Sequence, residues 1–404
     1  MSIPPDLDAV TRRGPESDPA ATGLAQDDVE AIWRGVLGLY ETGTQPAISV
    51  CLRHRGQVFL NRAVGHSHGP ATATDTAERV ATPDTQFCVF SASKAITAII
   101  MHELDARNLL RLEDPVVEYL PEFGRHRKRW VTLRHVLTHR AGIPAIPTDL
   151  DPLELAHDWE GIIERLCDAR PTFAAGRQLA YHAVTGGYIL AEAAHRATGK
   201  PITEWLRELI AEPLGIPMSY GVAPEHVDDV AKNRFTGYPV PFPISKVIER
   251  SLGLNMTRAV AASNDPRFLT GVIPSGNIVT TADGLSSFFQ LLLDGGKRGE
   301  DGLLDRRAVR RARVESAYFK LDLTLGIPVR YGHGLMLGAR RFSMFGPDTR
   351  RAFGHYGFVV IIGWADPERD IAGAILTSGK SVVANQLLPI WRLLSTVSQR
   401  VPKR

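Results

Sequence analysis

The chain has 404 residues, of which 44% are hydrophobic and 23% charged, and a formal net charge of +3. That length exceeds one simple core and predicts two structural regions, while the composition is that of an ordinary soluble globular protein. The weak positive balance gives no reason to expect nucleic acid or an anionic membrane as partner, and three widely spaced cysteines, Cys51, Cys88 and Cys167, exclude a disulfide framework and suggest no zinc cluster.

Residues 1–24 are polar and rich in Pro and Gly, which predicts a loose N-terminal arm. Pro, Asp and Arg stand where a secretory signal needs an apolar stretch, and no apolar run reaches the ~20 residues of a membrane span, so the cytoplasm is the expected compartment. From Asp27 to about Tyr40, Val29, Ile32, Trp33, Val36, Leu37 and Tyr40 recur at helical spacing. AISVCLRH and QVFLNRAVG then read as two strands joined at Arg55-Gly56 by a hairpin turn. A polar loop from His66 to Thr85 leads to FCVFSASKAITAIIMHELDARNLL, an apolar approach followed by a helix. Helices and loops punctuated by Pro and Gly fill 116–327. Strand patterns return in RYGHGLMLGA, GHYGFVVIIGWADP and DIAGAILTSG, the last two flanking the turn sequence Asp366-Pro367-Glu368-Arg369-Asp370, and a helix from about Val382 to Val397 closes the chain. An α+β fold is expected: one antiparallel sheet flanked by helices, built from both ends of the chain (25–115 and 328–404), plus a mostly helical region at 116–327, with the active site between them.

Ser91 and Lys94 carry the most specific chemical signal. Residues three apart share a helix face, so the hydroxyl and the amine come within hydrogen-bond reach. A serine is a weak nucleophile until a neighbouring base takes its proton, and a lysine becomes such a base when burial leaves it neutral. The helix start also offers the Ser91 N–H as an oxyanion donor. The bland alternative is a helix cap beside a solvated lysine. Against it, the chain has only nine lysines, and Lys94 alone has a serine three positions before it.

The sequence resembles the serine β-lactamase/penicillin-binding-protein superfamily, in its class C-like esterase branch, and is similar to the mycobacterial esterases of that branch named as lipases. The likeness covers roughly 30–395 and rests on SASK, DPVVEYLPEF, VTLRHVLTHRAGIP, GRQLAYHAVTGGYILAEAAHRATGKPITEWLRELIAEPLGI, IVTTADGLSSFFQLLLDGG and FGHYG, in the family's order. It implies a β-lactamase-like fold and an acyl-enzyme on Ser91. Tyr181 would share a proton with Lys94, and His355 and Gly357 would lie on the strand lining the site. The Phe358 N–H would be the second oxyanion donor. No cofactor or metal is implied, and the partner is a small-molecule ester; acyl transfer, D-amino peptide cleavage and β-lactam hydrolysis are the alternatives on the same site. Two departures weaken the antibiotic reading: Ala183 stands where asparagine is usual in Tyr-x-Asn, and His355 replaces a lysine that would meet a β-lactam carboxylate.

Other motifs are expected to be inert. Gly65-His66-Ser67-His68-Gly69 matches a nucleophile elbow but lacks the following helix. His135 and His139 lack the glutamate of a zinc helix, and Gly332-His333-Gly334 lacks the helix a dinucleotide needs. RHRKR (125–129) and RRAVRRAR (306–313), without interleaved aromatics, read as solvated faces rather than nucleic-acid contacts.

Overall fold

The computed structural model describes residues 3–69, 78–145, 152–155 and 157–404. Its centre is an antiparallel sheet with strands β1 (Thr11–Arg13), β2 (Ala47–His54), β3 (Gln57–His68), β4 (Ala317–Leu321), β5 (Pro328–Tyr331), β6 (Met336–Leu337), β7 (Phe353–Tyr356), β8 (Ile362–Asp366) and β9 (Ile371–Thr377). Their order is β1-β3-β2-β9-β8-β7-β6-β5-β4, so the two ends of the chain meet where β2 pairs with β9. Arg55 and Gly56 both have positive φ, at 53° and 78°, as the tight turn of the first hairpin demands.

Alternation along the strands builds two cores. Ile48, Val50 and Leu52 of β2, with Ile371 and Ile375 of β9, face helices α1 (Gln26–Tyr40) and α5 (Leu387–Arg400). The opposite face is lined by small residues: Ala47, Cys51, Ala372 and Ala374 join the core that contains α2 (Ser93–Ala106), α3 (Thr185–Thr198) and α4 (Ala282–Leu293). Small side chains there let α4 settle close to the sheet. A Cβ at Gly363 would lie 2.3 Å from a Phe289 ring carbon. From Ser93 to Leu104 every residue of α2 is buried, the signature of a helix wrapped on all sides. Among the described residues, no helix is long and apolar enough to cross a membrane.

Four expectations need correcting. The arm at 1–24 is not loose: β1 pairs with β3, the Gly14 and Ser17 N–H groups donate to Asn61 O and Val58 O, and Glu16 binds Arg62. Polar composition hid an edge strand three residues long. The stretch 317–321 lies in the region read as helical, yet it forms the far edge strand of the sheet. GHYGFVVIIGWADP is not one strand but a hairpin, β7 and β8, with Tyr356 opposite Ile362 and a Gly357 N–H to Ile361 O bond closing the turn. The loop expected from His66 begins later, since His66–His68 extend β3; residues 70–77 lie outside the described residues.

Arg62 fastens the N-terminal segment. Its guanidinium, 1% exposed, lies 2.8 Å from Glu16 and 2.9 Å from Glu30, with the Trp33 ring beneath it. Arg62→Ala strands both carboxylates against an apolar wall, and we expect it to lower unfolding stability by about 3 kcal/mol. Urea denaturation measures this, and a loss below about 1 kcal/mol contradicts the clamp.

Candidate active site

Ser91 lies in the 3₁₀ turn Phe90–Ala92 that feeds α2. Phe90 has φ 47°, a conformation that costs free energy for a bulky residue and persists only where the surroundings impose it. The constraints are visible. The Val89 N–H donates to Ile278 O at 2.8 Å, and the Phe90 ring lies 6.2 Å from that of Phe268 and 5.4 Å from that of Phe358.

One turn on, Lys94 Nζ lies 3.1 Å from Ser91 Oγ and donates to Ala183 O at 2.6 Å and Ser275 O at 2.9 Å. Among the described residues no carboxylate is paired with it. Burial therefore acts unopposed and pushes its pKa down to about 7. A neutral amine has two N–H bonds and one lone pair. With both N–H bonds directed at carbonyls, the lone pair is left for the serine hydroxyl.

Tyr181 belongs to the loop before α3, and burial raises its phenol well above the ordinary value despite a hydrogen bond with Ser91. The Lys94 amine stands 4.8 Å from its ring centroid. Asp322 holds its backbone: Oδ1 accepts from the N–H groups of Tyr181 (3.0 Å), Thr324 (2.9 Å) and Leu325 (2.9 Å). Three buried imidazoles surround the pair. His182 donates Nδ1–H to Ala180 O and accepts the Ile143 N–H at Nε2, which fixes a neutral tautomer, and burial pushes its pKa down to about 4. His139 accepts the His182 N–H and has its ring centroid 4.6 Å from that of Tyr181; burial lowers it well below its usual value, and the neighbouring His182 and Lys94 lower it further.

The third imidazole is His355, and its setting differs from the expectation of a residue on the substrate side. It is fully buried, donates Nδ1–H to Tyr356 O (2.6 Å) and faces the Tyr331 hydroxyl through Nε2 (3.3 Å). Burial and the Lys94 charge push its pKa down to about 3. It packs behind Tyr181 as a neutral group. Gly357 also differs: what approaches it closely is the Ser91 turn, since a Cβ there would lie 2.4 Å from Val89 O. Phe358 follows on the same turn, partly exposed, its ring on Phe90. The two segments expected to supply oxyanion donors are thus packed together.

Of the remaining motifs, Ser67 lies within β3, 2% exposed, with Oγ 3.1 Å from His68 Nδ1, and no helix follows it at once. His135 caps its own short helix by accepting the Thr132 N–H. Gly332-His333-Gly334 is the turn between β5 and β6. RHRKR is not wholly solvated, because Lys128 is buried and donates to Cys167 O and Ala169 O. No group of three or more His, Cys, Asp or Glu among the described residues is placed to hold a metal ion. Sequence reasoning missed Asp322, Ser275, Tyr331 and Lys380. The last is a further buried lysine, pushed down to about 7 by burial, whose amine lies 5.0 Å from the Phe90 ring centroid. Lysine scarcity was the only signal for it.

A central antiparallel sheet with helices on both faces and a Ser-x-x-Lys pair at the head of the buried helix is the architecture of the β-lactamase/penicillin-binding-protein class. The family model described as Beta-lactamase matches residues 32–394, and the chain belongs to that family. It is 31% identical over 309 residues to "Esterase/beta-lactamase LipL" of Mycobacterium tuberculosis, covering 71% of this chain and 68% of the relative. To "Esterase EstB" of Burkholderia gladioli it is 29% identical over 277 residues, with 64% and 68% covered. A penicillin-binding-protein homologue from Caulobacter crescentus superposes with TM-score 0.80 at 25% identity, over 93% of this chain and 98% of the other. A family VIII carboxylesterase gives TM-score 0.78 at 21% identity over the same shares, a likeness of fold.

The Lys94 shift has a thermodynamic consequence. Its folded value is about 7 against 10.5 for the free side chain, so between those values protons bind the unfolded chain preferentially. Stability from this group is complete above 10.5, falls as pH drops towards 7, and is constant below. Lys94→Met should therefore gain Tm relative to the unmodified chain as pH falls through that window; a pH-independent difference would show that the amine is not desolvated. The subtraction cancels the contribution of Lys380.

Proposed function

We propose that this protein is a serine hydrolase of carboxylic esters, working through an acyl-enzyme on Ser91. The observation that carries the reading is the Lys94 amine, with no carboxylate partner among the described residues, both carbonyl contacts made and its remaining valence towards Ser91 Oγ at 3.1 Å. Lys94 takes the serine proton as Oγ attacks the ester carbonyl. The Ser91 and Phe358 N–H groups receive the oxyanion. Tyr181 passes its phenol proton to the departing alcohol and is reprotonated by the Lys94 ammonium; water then attacks the acyl group, giving its proton to Lys94, which returns it to Ser91 Oγ as the acid leaves. Two relatives named esterases support the substrate class. The cytoplasm suits its three cysteines, all free and buried.

Lys94→Ala and Tyr181→Phe should each reduce kcat on aryl esters by roughly 10²–10⁴-fold while leaving the fold intact by circular dichroism. Lys94 further predicts that kcat/KM rises with pH through about 7. Near-normal turnover by Lys94→Ala at neutral pH removes it as the base. Ser91→Ala should abolish fluorophosphonate labelling, and an adduct persisting on Ser67 overturns the nucleophile.

β-Lactam hydrolysis is the rival, because the name of one relative covers both activities. Two groups disfavour it. Ala183 contributes its carbonyl to Lys94 but has no side-chain amide for an acylamino group, and His355, buried behind Tyr181 and neutral, offers no cation to a β-lactam carboxylate. Losing one charge-assisted contact corresponds to roughly a 10–150-fold penalty. The measured kcat/KM should accordingly favour p-nitrophenyl butyrate over nitrocefin by at least that ratio, and equal efficiency on the two would favour a β-lactamase.

A further inference from the structure

The basic run at 306–313 folds into the short helix Arg306–Ala312, whose cations divide by face. Arg307 and Arg311 are each paired, with Asp305 and Asp105. Arg306, Arg310 and Arg313, spaced by four and three along the chain, share another face. That face borders a crevice of about 920 Å³. Lys297, Arg350 and Arg351 close in from other segments, so six cations converge on it. None of the six has an ion-pair partner among the described residues.

The crevice's two carboxylates do not balance this charge, because one is already paired and the other stands alone against six cations. Glu315 is bound to Arg330 at 2.6 Å, and Asp294 accepts from Gln290 at 3.0 Å. Arg313 is partly buried over the Phe353 ring, its guanidinium 4.1 Å from the centroid, with Arg351 and Arg310 close enough to oppose its charge. The whole chain carries only +3, so this is a local concentration and not the background of a basic protein. Unpaired like charges within a Debye length of about 8 Å repel and do nothing for the fold. An anion in the crevice would remove that repulsion.

The shape narrows the ligand. Guanidinium forks match phosphate oxygens two at a time, and the volume lies within the roughly 300–1,000 Å³ of small-molecule sites. The rest of the lining is aliphatic, including Leu293, Val309, Leu337 and Pro367, with no aromatic platform for stacked bases. A concave site also suits a soluble molecule better than a flat lipid surface. We propose that this crevice, separate from Ser91, binds a small soluble molecule carrying two or more phosphate groups.

Calorimetric titration of the full chain with inorganic tripolyphosphate at physiological ionic strength tests it. Saturable one-to-one binding is expected, weakened about tenfold or more by either Arg310→Gln or Arg351→Gln. Both side chains are exposed, so the variants should keep their circular dichroism, hydrolyse p-nitrophenyl butyrate normally and unfold, without ligand, at or above the wild-type Tm. Absence of saturable binding, or binding that both substitutions leave unchanged, overturns the proposal. Binding to phosphatidylglycerol vesicles with none to tripolyphosphate also overturns it, and transfers the crevice to a lipid headgroup.

Discussion

A lysine amine taken out of water must either lose its proton or find compensation, and much of this structure arranges the first outcome. Lys94 sits on a helix buried along its whole first three turns, facing two main-chain carbonyls and no carboxylate. Carbonyls satisfy N–H bonds without supplying the full charge that would hold the proton on. The three imidazoles around it are tied by hydrogen bonds in which each remains neutral, so none adds a competing charge. Substituting any neighbour by a carboxylate would restore the ammonium form and leave the serine hydroxyl without an acceptor.

Those carbonyls must be held in place by something other than Lys94. Ser275 is pinned to the start of α3 through its side chain, which accepts the Gly187 N–H at 2.9 Å and donates to Val184 O at 3.0 Å. Ala183 lies on the loop that Asp322 ties down at Tyr181. On the opposite side, Gly357 admits the Val89 carbonyl so that the β7–β8 turn and the Ser91 turn share one packed edge. The positive φ of Phe90 is a consequence of that junction. Strain beside Ser91 is thus held by contacts from three separate parts of the chain, which explains why this turn needs both ends of the sequence in one sheet.

The elements with strong periodicity were legible in advance. α1, the first hairpin and α2 fall close to where spacing and turn residues put them, because each buries one clear face or follows one clear turn. Ser91 and Lys94 were legible because a three-residue spacing has one geometric meaning on a helix. Tyr181 needed the resemblance as well, since nothing local distinguishes a loop tyrosine. What stayed hidden depends on contacts distant in sequence. Asp322 lies 141 positions from the N–H it accepts, and His355 lies 24 from the tyrosine that turns it into a packing group. The edge strands at 11–13 and 317–321 are short and give no alternating pattern: TRR is polar throughout, and AYFKL is mostly apolar yet exposed at four of its five positions.

The division of labour between Lys94 and Tyr181 in the proposed reaction follows from one physical term acting on opposite charges. Burial penalises whichever form is ionised. For an amine that form is protonated, so burial makes a base; for a phenol it is deprotonated, so burial keeps an acid. Asp322 reinforces the second effect, because its carboxyl lies close enough to Tyr181 to oppose a phenolate. Near neutral pH the phenol is therefore held as a donor, and an appreciable share of the amine is free to accept, with no charged side chain paired to either among the described residues. A lysine in place of His355 would add a cation that stabilises phenolate and changes that balance. The neutral imidazole that stands there adds no such charge.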